Sequence, residues 1–218
     1  MVTTLLPLLA LGFFLGIRHA TDPDHVVAVT TILAREKRVS VAARIGVLWG
    51  VGHTFTILLV GGAIIVFGIV IPPRLGLTME FSVAVMLVLL GGLNLAGVFG
   101  APSSHSRVSV AARPIAIGVV HGLAGSAAIA LLVLAAVHTA LAAIAYLAIF
   151  SLGTVMGMML MTSALAYPLV ATQSRFTHIE PWIARGTGVV SVLFGLFMAY
   201  QVGIHDGLFS GHPVWSPH

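Results

Sequence analysis

The chain runs to 218 residues, 59% of them hydrophobic and only 7% charged, with a mean hydropathy of +1.11. A soluble domain carries about 25% charged residues, so this composition excludes a water-soluble globular protein, and the long apolar runs exclude disorder. The absence of cysteine excludes disulfides, thiolate metal sites and a thiol-reductant carrier, and the net charge of +4 comes from scattered basic residues, not from a nucleic-acid-binding patch interleaved with aromatics.

At about 20 residues per membrane-crossing helix, the apolar runs divide into six predicted spans, at about 5–34, 45–71, 81–101, 114–137, 140–170 and 186–204. The expected fold is therefore an all-α integral membrane protein, one transmembrane domain over 1–218. The first span lacks the positive leader and small-residue cleavage site of a secretory signal and is read as a membrane helix. It holds the densest chemistry in the chain, Arg18-His19-Ala20-Thr21-Asp22-Pro23-Asp24-His25. Two of the six acidic residues lie here. A charge at the bilayer centre costs at least about 2.5–3.5 kcal/mol, so the cluster must face a bundle interior or a watery cavity.

At roughly 100° per residue, His19, Asp22 and His25 fall on one helical stripe and Asp24 points away. Pro23 disturbs that helix: it offers no N–H to the His19 carbonyl and pushes Asp22 out of the helical region. The span is predicted to kink or break near Asp22-Pro23. A break brings Asp24 towards the same centre, frees the His19 carbonyl as a further donor and places Asp22 as cap of the second half. Two imidazoles and one or two carboxylates make a nitrogen/oxygen site suited to divalent nickel, cobalt or zinc, and too nitrogen-rich for calcium or magnesium. The competing reading is a purely structural salt bridge from Arg18 to Asp22 or Asp24.

The later spans add single polar residues. His53, in Trp49-Gly50-Val51-Gly52-His53-Thr54 of span two, is read as a further ligand, its flanking glycines allowing close helix approach. Asn94 of span three is as suited to holding helices together as to the site. His121 of span four has no carboxylates in its own half, so gating or packing is favoured for it over ligation. The spans are joined tightly near His138-Thr139. Met156-Gly157-Met158-Met159 is read as packing. The stretch from Thr172 to Arg185 is read as a loop, and the tail with His205, Asp206, His212 and His218 as solvated.

Eight of the ten basic residues fall in loops after spans one, three and five, and only Arg74 on the opposite side. The positive-inside rule then places both termini outside the cytoplasm, in a bacterial-type cytoplasmic (inner) membrane. The halves also resemble each other. Gly16-Ile17-Arg18-His19 aligns with Gly118-Val119-Val120-His121, Gly52 with Gly153 and Gly91 with Gly195. With three spans per half, the second half sits upside down relative to the first. The prediction is a 3+3 inverted repeat, about 1–101 and 112–208, with the substrate at the repeat interface.

The His-x4-Asp-His pattern of His19, Asp24 and His25, followed by Gly52-His53-Thr54, resembles the two leading motifs of the nickel/cobalt transporter family. Larger members have about eight spans and further acidic motifs. The six-span length and the segment His121 to Ser126 look more like the compact nickel permeases of the urease-accessory type. The resemblance implies a permease, not an enzyme, in which His19, Asp24, His25 and His53 contact the ion, with Asp22 beside them and His121, Asn94 and Arg18 in a second tier. It implies no permanently bound cofactor: Ni2+ or Co2+ is cargo. The other expected partners are membrane lipids and, through the cargo, nickel enzymes such as urease or hydrogenase; self-association is left open. No phosphate-binding Walker motif is present, so transport is expected to be secondary. Related efflux proteins carry a His-rich loop that is missing here, which favours uptake over efflux. A haem-binding electron-transfer subunit is the alternative outside transport, with His19, His25, His53 and His121 as axial ligands. An intramembrane metalloprotease is disfavoured because His-Glu-x-x-His is absent.

Overall fold

The computed structural model describes residues 2–68, 71–98, 111–124, 139–175, 179–210 and 212–215. Among the described residues, seven helices follow in order: α1 (Val2–His19), α2 (Pro23–Leu33), α3 (Val39–Phe67), α4 (Pro73–Leu95), α5 (Ala111–Ala124), α6 (Ala140–Arg175) and α7 (Glu180–Tyr200), the last running into a π-helical turn, Gln201–His205. No strand occurs among the described residues. Among the described residues, four stretches are long and apolar enough to cross a membrane: Val39–Phe67, Pro73–Leu95, Ala140–Gln173 and Glu180–His205. α1 and α2 together take the place of the first predicted span, and α5 opens the fourth, whose remainder lies outside the described residues.

The helix ends follow local chemistry. α3 stops where Gly68 turns left-handed, at φ 61°, and returns its N–H to the Ile64 carbonyl, a role natural to glycine. α4 starts eight residues before the predicted boundary because Pro72 and Pro73 occupy the positions that need no amide donor. α6 is opened by Thr139, whose carbonyl accepts from Ala143 at 3.0 Å; the adjoining His138 is not among the described residues. The expected loop from Thr172 to Arg185 shrinks at both ends, since α6 runs to Arg175 and α7 starts at Glu180. Gln173 explains the first extension: its side chain is buried and donates to the Ala34 carbonyl at 3.0 Å.

The tail is tethered to α4 through a few contacts among residues 206–210 and 212–215, while Phe209, His212 and Val214 stay exposed. The Trp215 indole N–H donates to Glu80 at 2.8 Å, Phe209 meets Phe81 edge-on, and the Val214 amide donates to the Asp206 carbonyl at 2.9 Å. His205 and His212 themselves stay exposed; His218 lies outside the described residues.

Glycines set the helix spacing. A Cβ on Gly16 of α1 would overlap the Phe150 carbonyl of α6, and one on Gly118 of α5 would overlap the Trp49 carbonyl of α3. Gly52 of α3 meets the Ile115 carbonyl of α5 in the same way, as Gly153 of α6 meets the Phe13 carbonyl of α1. On the other side, Gly91 of α4 packs on Gly188 and Val192 of α7, and Gly195 of α7 packs on Ala84 and Val88 of α4. In each pair the second contact is the first displaced by 101 to 104 positions. Such close approach is how helices associate where no water drives them together. The residue numbers in contact also fix direction. α1 runs parallel to α6 and α5 parallel to α3, while α3 and α6, and α4 and α7, run antiparallel. A core cluster with Trp49, Leu33, Leu87 and Met158 fully enclosed lies between the helices, and a second one around Tyr146, Leu147 and Phe150 lies where α6 meets α1 and α3.

Candidate metal centre

The first predicted span breaks where its sequence demands. α1 ends at His19, and the chain turns through Ala20 to Asp22. Asp22 adopts extended backbone angles (φ −60°, ψ 145°) and α2 starts at Pro23. The Thr21 hydroxyl donates to the Arg18 carbonyl at 2.6 Å. The Asp22 amide donates to the His19 carbonyl at 3.1 Å, so that carbonyl is engaged and not the free donor expected. Asp22 does occupy the N-cap position, but its side chain does not cap α2. It holds His19 instead, with Oδ2 2.7 Å from Nδ1.

The break turns Asp24, in the first turn of α2, towards the histidines and into the bundle. Its Oδ1 lies 3.1 Å from His25 Nδ1, and its Oδ2 lies 2.9 Å from His121 Nε2. His53, from α3, points at the same place, and its Nε2 lies 3.1 Å from His19 Nε2. Two overlapping triads result: His19, His25 and His53, and Asp24, His25 and His121, each with its donor atoms within 4.8 Å of one another. His25 belongs to both. The rings crowd together, with His25 and His121 centroids 4.1 Å apart and those of His25 and His53 5.1 Å apart.

Donor chemistry fits a divalent transition metal. Imidazole nitrogens sit at about 2.0–2.1 Å from such an ion, and two at right angles are then about 3 Å apart, close to the His19–His53 separation. The set is imidazole-rich with one carboxylate, the mixture that suits first-row ions and not calcium or magnesium. His25, His53 and His121 are at most 1% exposed. His25 Nε2, His53 Nδ1 and His121 Nδ1 have no protein partner, although buried polar groups are ordinarily satisfied. Asp22 is half exposed and touches His19 only on the nitrogen facing away from His53. That is the arrangement by which an outer carboxylate fixes the tautomer of a ligating imidazole.

The structure thus brings together His19, Asp22, Asp24, His25 and His53, and adds His121 to them. Asn94 is elsewhere: it is buried and donates to the Ala184 carbonyl at 3.0 Å and the Thr31 carbonyl at 3.3 Å, holding α4 to α7 and α2. Arg18 is exposed, and both aspartates pair with histidines instead of with it. Sequence reasoning missed Trp49, whose indole stacks on His25 at 5.5 Å and meets His121 edge-on at 5.4 Å. Its place one helical turn before His53 was the available signal.

No family model matches the chain, and no solved structure matches it. A curated relative does: the urease accessory protein UreH of Bacillus sp. (strain TB-90) is 36% identical over 219 residues, which cover 94% of this chain and 96% of the relative. With a buried histidine cluster in apolar helices and identity spanning nearly both whole sequences, the chain belongs to the UreH family of urease accessory proteins.

Proposed function

We propose that this protein is a secondary transporter that carries Ni2+, and in the same class Co2+, across the cytoplasmic membrane into the cell. The observation that carries this reading is the pair of triads sharing His25 at the break between α1 and α2. Ionisable groups within membrane helices mark ion paths more often than packing, and interrupted helices line transporter sites. His19, Asp24, His25 and His53 are the direct ligands, with His121 joining through Asp24 and Asp22 orienting His19. Binding of the ion replaces the contacts these groups make with each other, and any imidazole that is protonated releases its extra proton to ligate in the neutral form. The nickel assignment, and supply to urease as the downstream use, rest on the relative's description as a urease accessory protein.

Six spans arranged as two inverted halves are part of the same proposal. The matched glycine contacts support it, as do the parallel pairing of α1 with α6 and of α5 with α3. Three elements of the first half and one of the second build the cluster, which suits a site at a repeat interface. Both termini are placed outside. In support, Arg35 and Lys37 between α2 and α3 pair with Glu180 at the start of α7, at 3.9 and 3.1 Å, so these basic segments share one end of the bundle. Inward movement of a cation then gains about 2.3 kcal/mol per charge per 100 mV. A haem site fits poorly, because the direct 3.1 Å contact of His19 and His53 leaves no slab for a porphyrin between these two rings.

Uptake of radiolabelled nickel by whole cells, with cobalt and zinc as competitors, tests the reading in wild type, His19→Ala and Asp24→Asn. Saturable uptake lost in both variants at normal expression is expected. Unchanged accumulation would leave the cluster structural, and lower accumulation in wild type than in the variants would mean efflux.

A further inference from the structure

A second polar feature lies away from the histidines. At the basic end of the bundle, α2, α3 and α5 line a partly open cavity of about 600 Å3 at whose mouth Arg44 and Arg113 are exposed. Arg35, Arg44 and Arg113 line it, with Glu36 as the single carboxylate. That carboxylate is already engaged, since its Oε1 accepts the backbone N–H groups of Lys37 and Arg38 at 2.9 and 3.0 Å. Arg35 shares Glu180 with Lys37, and its Nε is buried without a partner. Arg44 and Arg113 form no ion pair among the described residues. The cavity therefore carries an unbalanced positive charge.

The rest of its wall is apolar: Val41, Ile45 and Leu48 along one face of α3, opposite Ile32 of α2 and Ile117 of α5. Guanidinium groups at one end and aliphatic side chains along the wall match an amphipathic anion. Guanidinium groups bind phosphate oxygens in a fork geometry that ammonium groups lack. Arg44 stands in the second turn of α3 and Arg113 among the first described residues of α5, near the ends of two apolar helices, and basic pockets between helices at the membrane surface hold anionic headgroups. The volume far exceeds what a bare phosphate fills. A divalent cation would instead meet like charges at this mouth.

We propose that this cavity is a binding site for an anionic phospholipid, its phosphodiester between Arg44 and Arg113 and its glycerol and first acyl carbons along Ile45, Leu48 and Ile117. The site depends on the chain spanning a membrane and not on which ion it carries.

The test uses the purified full-length protein in neutral detergent. Its thermal unfolding is followed with added phosphatidylglycerol, phosphatidylethanolamine or inorganic phosphate. Phosphatidylglycerol alone should raise the midpoint, by about a few degrees, and the double variant Arg44→Gln/Arg113→Gln should lose that gain. An equal gain from inorganic phosphate would assign the site to a soluble anion and overturn the lipid. A gain undiminished in the double variant would overturn the site itself. A second readout avoids the arginine changes. Because the chain has no cysteine, Leu48→Cys can be labelled alone with a charged maleimide in liposomes. Phosphatidylglycerol should slow labelling by about tenfold relative to phosphatidylethanolamine. Protection by nickel and not by lipid would overturn the proposal and make the cavity part of the ion's route. Nickel uptake by the His19→Ala variant reports on the transport reading separately.

Discussion

His121 Nε2 stands 2.9 Å from Asp24 Oδ2, although 97 positions separate them in the chain. The contact joins α5 to the break between α1 and α2, and so joins the two halves of the molecule at the histidine cluster. Any motion that separates the halves must break it or carry it along.

His121 should therefore matter as much as the motif histidines. Removing it leaves the partly buried Asp24 carboxylate with His25 as its remaining partner in the cluster, and an enclosed carboxylate that loses a partner is costly. His121→Ala is expected to reduce nickel uptake at least as severely as His53→Ala. Initial uptake rates at matched expression measure this. Wild-type rates in His121→Ala would assign the residue to packing alone.

Asp22 should behave differently from Asp24. It touches no ligand atom aimed at the cluster and acts on His19 through the nitrogen that faces away, at 2.7 Å. Loss of such an outer partner typically lowers metal affinity by about 10–100-fold. Asp22→Asn should thus raise the half-saturating nickel concentration while keeping most of the maximal rate. Asp24→Asn should abolish uptake at every concentration. A saturation curve on both variants separates the two roles, and identical curves would contradict the assignment.

Much of this site was legible because its chemistry is local. The pattern Arg18 to His25 carries its own helix breaker, so Pro23 announces both the break and the turning of Asp24 into the bundle. His53 was legible from glycine neighbours that promise close packing, and Gly52 does meet the Ile115 carbonyl. His121 and Trp49 were harder, because their roles depend on which helix lies opposite. Nothing within the span of His121 indicates that a carboxylate from α2 will reach it. The tether of the tail was not legible for a related reason: Trp215 finds its place beside Ile64 and Ile71 only once the chain has returned to α4, while His205, Phe209 and His212 stay exposed. Arg18 shows the converse. Its position beside two aspartates suggested a salt bridge, but the helix turns its side chain outwards while imidazoles take both acids.

The folded tail carries a prediction about stability. Trp215 packs over Gly76 and beside Ile71 and Ile64, besides donating to Glu80. Trp215→Ala should destabilise the protein by about 1–3 kcal/mol and release the tail beyond Asp206 to protease added on the face proposed to lie outside, with nickel uptake little changed. Limited proteolysis of right-side-out vesicles reads the release directly. A tail equally resistant in the variant would show that Phe209 and the backbone contacts suffice.

The matched glycines give the last prediction, and it addresses the repeat. Gly16 and Gly118 each lie against a carbonyl of the neighbouring helix, of Phe150 and Trp49 respectively. A methyl group at either position must push the helices apart, and overpacking of this kind costs about 1–3 kcal/mol. If the halves are equivalent, Gly16→Ala and Gly118→Ala should lower the thermal midpoint in detergent to a similar degree. Gly92 serves as the control, because a Cβ there meets nothing within 4 Å, and alanine in a helix is worth about 0.5–1 kcal/mol over glycine. Gly92→Ala should leave the midpoint unchanged or raise it. A large loss at Gly16 with none at Gly118 would mean that the two helix pairs are not equivalent, whatever their spacing in the sequence.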